Sequence, residues 1–162
     1  LKCRPEEVCP EPGERVMLGF DKWLAFDLEG NGAAGQAARL IGVSLGADAV
    51  TNQRLAAEVL SQIDQQGSRD LVQTLVDQGV FAELAGGDSL EALIGLIYRN
   101  VTGTGPSASE QTWALNWAHD QNWDATDLIL FAAQLPQTAT LIGLPELAEQ
   151  GWAHGFGFMT LQ

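Results

Sequence analysis

The sequence predicts a mostly α-helical protein: two similar three-helix units packed as one helical domain, behind a short N-terminal β-hairpin. Three observations carry that prediction. From Gln36 onward, apolar residues recur at the spacing of a helix face. Gly, Pro and Ser/Asp cap signals interrupt that period at regular places. The order helix, Gly-containing loop, helix, tight turn, helix runs from residue 36 to about 77 and returns from 89 to about 135, an offset of roughly 55 residues.

In chain order, residues 1–15 are rich in Pro, Glu and Cys without periodicity and read as an extended leader. Residues 16–35 read as a β-hairpin and a glycine-rich turn: Val16-Met17-Leu18-Gly19-Phe20 and Trp23-Leu24-Ala25-Phe26 are short apolar runs on either side of Asp21-Lys22. The first helical unit spans 36–87. Its stripes are Ala37, Leu40, Ile41, Ser44 and Leu45, stopped near Gly46; then Leu55, Ala56, Val59, Leu60 and Ile63, stopped at Gly67; then Leu71, Val72, Leu75 and Val76 behind a Ser68 cap. Val80, Phe81 and Leu84 make a short apolar turn before the Gly86-Gly87 break. The second unit spans 88–144. Asp88 and Glu91 are read as a capping box ahead of Leu90, Leu93, Ile94, Ile97, Tyr98 and Val101. Ser107 and Glu110 form another, leading into Trp113, Ala114 and Trp117. Asp124 caps a helix whose inner face is Leu128, Phe131, Ala132 and Leu135, stopped by Pro136. With Trp123, these aromatics are expected to make the second half the heavier core. Residues 145–162 form an aromatic and glycine-rich tail.

The chain has 162 residues, 46% of them apolar, enough for a packed core, and a formal net charge of −13. Nucleic acid is excluded as a partner class, because affinity for phosphates comes from clustered Lys and Arg. An anionic membrane surface is disfavoured for the same reason, and no apolar run reaches the ~18 residues that would insert into a bilayer. Cys3 and Cys9 sit close together in the leader. They read as a disulfide, with free thiols or a metal site as alternatives; the disulfide implies an oxidising compartment. The start at Leu1 reads as a processed or trimmed end. Location is therefore expected to be extracellular or at the cell surface.

Two motifs share one stretch. Gly30-x-Gly32-x-x-Gly35 matches a dinucleotide fingerprint, but Asp27 and Glu29 would repel a pyrophosphate, and no second parallel strand follows. It reads as a tight turn into a helix, and no cofactor-binding residue is assigned. Asp27, Glu29 and Asn31 place oxygens at alternate positions, like the opening of a Ca²⁺ loop. They are a Ca²⁺ candidate beside the plainer role of turn and cap residues; the twelfth position, where a closing Glu belongs, is Ala38. No catalytic constellation emerges around His119 or His154, so no catalytic residue is assigned and the chain is not read as an enzyme. Trp123, Asp120, Trp152 and His154 are the candidates for glycan contact, since aromatic faces pack on the apolar faces of sugars. Trp123 precedes a cap and is the one expected at the surface, whereas Trp113 and Trp117, at helical spacing, are expected in the core.

The stretches Asp27-Leu28-Glu29-Gly30-Asn31 and Gly35-Gln36-Ala37-Ala38-Arg39-Leu40 resemble the opening of a bacterial helical domain family of unknown function. That family is found in tandem in secreted calcium-repeat (RTX-type) proteins, adhesins and S-layer-like proteins, and beside some glycosyltransferases. Leu96-Ile97-Tyr98-Arg99-Asn100-Val101, Gly103, Pro106 and Trp113 extend the resemblance to the second unit, so that it covers roughly residues 16–142. Where the family carries Arg, Asp and Gly after its loop glycine, this chain carries Thr104, Ser107 and Glu110 in one unit and Ala47, Val50 and Gln53 in the other. The resemblance implies a tandem helical scaffold in a secreted or surface context and no particular reaction. Together these readings lead to a non-catalytic extracellular or cell-surface module for adhesion or self-assembly, of filament or surface-layer type. It would act through its acidic surface, hairpin edge and aromatic tail on a protein partner or a second copy. A carbohydrate-binding accessory domain is the alternative, and a glycan-active enzyme a more distant one.

Overall fold

The computed structural model describes residues 32–144, which form eight α-helices and a 3-10 turn, with no strand among the described residues. In order these are α1 (Ala33–Leu45), the 3-10 turn (Ala47–Thr51), α2 (Gln53–Gln66), α3 (Ser68–Asp77), α4 (Val80–Ala85), α5 (Leu90–Thr102), α6 (Ala108–Asp120), α7 (Ala125–Ala133) and α8 (Pro136–Leu141). No helix among them is long and apolar enough to cross a membrane. The leader, the hairpin strands, the aromatic tail, Cys3, Cys9, Asp27, Glu29, Asn31, Trp152 and His154 lie outside the described residues.

The chain is mostly helical, as its periodicity predicts, and α1 is the axis of the core. Ala34, Gly35, Ala37, Ala38, Leu40, Ile41, Gly42 and Val43 are all buried, so α1 is enclosed over most of its circumference, with Gln36 and Arg39 half-buried. It touches α2, the 3-10 turn, α5, α7 and α8. Small residues make so many neighbours possible. A β-carbon on Gly42 would overlap the Cγ2 of Ile142, so the chain just past α8 can close over α1 only at a glycine. The helix begins at Ala33, three residues ahead of the change in period, with Gly32 as its extended N-cap. Gly35 therefore belongs to the first helical turn and not to the preceding loop. Gly46 ends the helix at φ 90°, a conformation that suits a residue without a β-carbon. Just before it, the Val43 carbonyl, one of the four a helix end leaves without an intrahelical partner, accepts a 2.8 Å hydrogen bond from Asn100 Nδ2 on α5.

Around α1 the core is aliphatic: Leu60, Ile63, Leu71, Val72, Leu93, Ile94, Ile97, Leu128 and Ile129, with Phe81 of α4 as its one buried aromatic ring among the described residues. Ile94 and Ile129 are almost fully enclosed, each gaining about 1.5–3 kcal/mol from burial. Helices α1–α3 have 13, 14 and 10 residues, and α5–α7 have 13, 13 and 9. α3 packs against α7, and α1 against α5 and α7.

The caps sort into agreements and corrections. Ser107 and Glu110 close a reciprocal capping box on α6, and Asp124 and Asp127 close another on α7. At α5 the cap is Ser89, whose hydroxyl accepts from the Ala92 amide at 3.2 Å, and not Asp88. Ser68 is the first residue of α3, after the N-cap Gly67, and its hydroxyl donates to Gln36 Oε1 on α1. Pro136 does not only stop α7: it occupies the first turn of α8, where a missing amide hydrogen costs nothing. The largest correction concerns the rings. Phe131, read as inward-facing, is 36% exposed, and Trp113, read as core, is 63% exposed.

Candidate ligand-binding face

α6 buries only Ala114 and Ala118, the latter completely, and these small side chains are what it presents to the interior. Trp113 and Trp117 each precede one of those alanines. A one-residue step turns a helical side chain by about 100°, so the indoles lie off the docking face. Helical spacing predicts them in the core, but two alanines admit a close helix approach that two indoles would block. The result is an aromatic cluster at the surface.

Four rings make up this face. Trp113 and Trp117, one helical turn apart, have centroids 6.0 Å apart and planes within 3° of parallel. Trp123 meets Trp117 edge-on at 4.7 Å. Phe131 of α7 lies 4.8 Å from Trp117 and 4.9 Å from Trp123. Pairs at such separations contribute about 0.5–1.5 kcal/mol beyond their burial. Trp117 and Trp123 are half-buried, so the inner three rings form a footing and Trp113 extends from it into solvent.

The local backbone explains why Trp123 joins the cluster. Helix α6 ends in a Schellman turn: the Trp123 amide donates to the Ala118 carbonyl at 2.9 Å, and the Asn122 amide to the His119 carbonyl at 3.0 Å. Asn122 takes the left-handed position with φ 55°, the only non-glycine at positive φ among the described residues. Asn tolerates that region better than most L-residues. In such a turn the residue after the left-handed one folds back on the last helical turn, and here that contact is Trp123 on Trp117.

The electrostatics of the face have one sign. Glu110, Trp113, Trp117 and Asp120 fall at i, i+3, i+7 and i+10 on α6, so two carboxylates bracket two indoles along one stripe. α6, α7 and the turn between them contain no Lys or Arg, and none follows Arg99 anywhere in the chain. The Ser107 hydroxyl and amide, donating at 2.6 and 2.8 Å, hold the Glu110 carboxyl below its ordinary range. On α7, Arg69 of α3 donates to Asp127 at 2.8 Å and holds that carboxyl low as well. Asp120, singled out with Trp123 as a glycan contact, is exposed at the end of the stripe; Trp123 is the half-buried support, and Trp113 takes the exposed place expected of it. The signal that identifies Trp113 was in the sequence, as the alanine that follows each tryptophan of α6.

A concavity of about 440 Å³ lies apart from this face, between α1, α2, α3 and α4, with Leu40, Leu45, Val59, Leu75, Phe81 and Leu84 among its walls. It accounts for Leu45, which the helical stripe placed inward and which is 43% exposed. No group of three or more His, Cys, Asp or Glu side chains suited to a metal ion occurs among the described residues. Comparison of the chain with protein-family models, with curated proteins and with solved structures finds no match.

Proposed function

We propose that this chain is a non-catalytic adhesion module, of an extracellular or cell-surface setting, that binds carbohydrate through the α6–α7 aromatic face. The observation that carries the proposal is Trp113: an indole 63% exposed and held parallel to a second indole. A solvated tryptophan forgoes the stabilisation that burying so large a side chain would bring. A flat ring with polar neighbours Asn116 and Asp120 on adjacent turns suits a pyranose, whose axial C–H groups stack on the ring while its hydroxyls reach amide and carboxylate oxygens.

Charge favours a sugar over a second copy of the chain. A second copy docked through the same face would set Glu110 and Asp120 against their own counterparts, a like-charge arrangement that opposes association. Self-assembly then belongs to other surfaces. The finer architecture proposed from the sequence, a tandem of two similar three-helix units behind a hairpin, is supported by helix spacing: α5, α6 and α7 begin 57, 55 and 57 residues after α1, α2 and α3 (90−33, 108−53, 125−68). A tandem helical scaffold also agrees with the resemblance to the surface-protein family.

The test is binding of the full chain to a broad glycan array, repeated with Trp113→Ala. Retention of specific sugars by the parent chain and their loss in the variant, with an unchanged helical circular-dichroism spectrum, is the expected result. An array blank for the parent chain, checked by calorimetry against oligosaccharides at millimolar concentration, removes the proposal.

A further inference from the structure

Resting on the carbohydrate reading, we infer that the α6–α7 face selects glycans by charge: it takes sugars bearing free amines over their uncharged N-acetylated forms and rejects uronic-acid and sulfated glycans. The residues around Trp113 lead to that ranking. Glu110 and Asp120 bracket the exposed indole on its own helical stripe, and Asp124 and Asp127 open the neighbouring helix. The cation brought against this group, Arg69, is bound to Asp127 at 2.8 Å. A sulfate or carboxylate on an incoming sugar would therefore meet carboxylates and no lysine. A protonated amine would find two sources of attraction, the negative π-face of an indole and nearby carboxylates, each favourable to a cation at short range.

The same chemistry orders the contributions. Stacking on Trp113 is common to all pyranoses and sets the baseline. The charge term discriminates among them, and because the face is exposed it is moderate and screened by salt, with a Debye length of about 10 Å at 0.1 M. Discrimination between amine and N-acetyl forms is expected at about 2- to 30-fold in Kd, the range that ~0.5–2 kcal/mol of cation–π and charge attraction supplies.

The experiment is calorimetry of the full chain at mildly acidic pH with three probes of equal length: a fully deacetylated glucosamine oligomer, its N-acetylated counterpart and an oligogalacturonate. Binding in that order, with the first two converging at high salt, is the expected result. Asp120→Asn is expected to narrow the gap between amine and N-acetyl forms while leaving N-acetyl binding in place, and Trp113→Ala to abolish both. Equal affinity for the first two probes at low salt, or measurable binding of the uronate, overturns charge selection and leaves the carbohydrate reading standing. No heat with any probe, together with a blank glycan array, overturns both.

Discussion

Helices α1 and α6 have the same length, 13 residues each, and opposite uses for their apolar side chains. α1 is built mostly from Ala, Gly, Leu, Ile and Val and hides eight of its residues. α6 carries two tryptophans and hides two alanines. What separates them is the distance at which a neighbour can approach. Around α1, Gly42, Ala37 and Ala38 let other helices come close on several sides, so its larger residues are enclosed by neighbours that the small ones admit. α6 packs mainly on α5 and buries only two alanines; Trp117 leans on Phe131 of α7, and Trp113 stays in water. Burial follows packing geometry, and the most hydrophobic residue of a helix need not be the one that docks.

Substitutions in the two regions test that contrast. The largest effect is expected from Ile129→Ala, at a position with no solvent exposure: a loss of about 2–5 kcal/mol by chemical denaturation. A loss below 1 kcal/mol would mean that the core around α1 is less closely packed than its geometry indicates. Gly42→Ala should cost about 1–3 kcal/mol through overpacking against Ile142, despite the better helix propensity of alanine. In a double-mutant cycle with Ile142→Ala, which removes the overlapping Cγ2, the two losses should be less than additive, and an additive pair would locate the strain elsewhere.

At the Schellman turn, Asn122→Val is expected to cost about 1–2 kcal/mol, because a β-branched residue is strained in the left-handed region. It should also change tryptophan fluorescence as Trp123 loses its contact with Trp117, whereas Asn122→Gly should leave both properties near the parent values. The smallest effect is expected for acid. Folding holds Glu110 and Asp127 below their ordinary ranges, through Ser107 and Arg69 respectively, so both groups contribute fully at neutral pH. Their contribution falls away as pH drops below the ordinary carboxylate range and through the lowered values. A Tm–pH profile should therefore fall on the acid side and be slightly flatter for Glu110→Gln. Since both groups are exposed, the difference should be small and should shrink in salt.

Much of the fold was legible in the chain, and particular residues show why. The helical class, the stop at Gly46, the capping box at Ser107–Glu110 and the cap at Asp124 are local properties: a period, a residue that accepts positive φ, a side chain one turn from an amide. Where two local choices compete, the sequence is ambiguous. Asp88 and Ser89 both suit the start of α5, and the backbone geometry selects Ser89. Gly35 suits a loop as well as a helix, and it lies buried in the first turn of α1.

The candidate site was legible in its composition and misread in its arrangement. The cluster of Trp113, Trp117, Trp123 and Phe131 and the carboxylate at Asp120 stand out in the sequence, and the absence of any Lys or Arg after Arg99 is plain from it. Which ring meets solvent is not a local property. It depends on how closely α5 approaches Ala114 and Ala118, on the left-handed turn at Asn122 that folds Trp123 inward, and on α7 setting Phe131 against both. By itself the sequence determined a helical, acidic chain with an aromatic second half, since period, charge and ring count need no partner. Only the tertiary structure decided that three rings support and Trp113 presents, since exposure depends on the neighbours that packing leaves out.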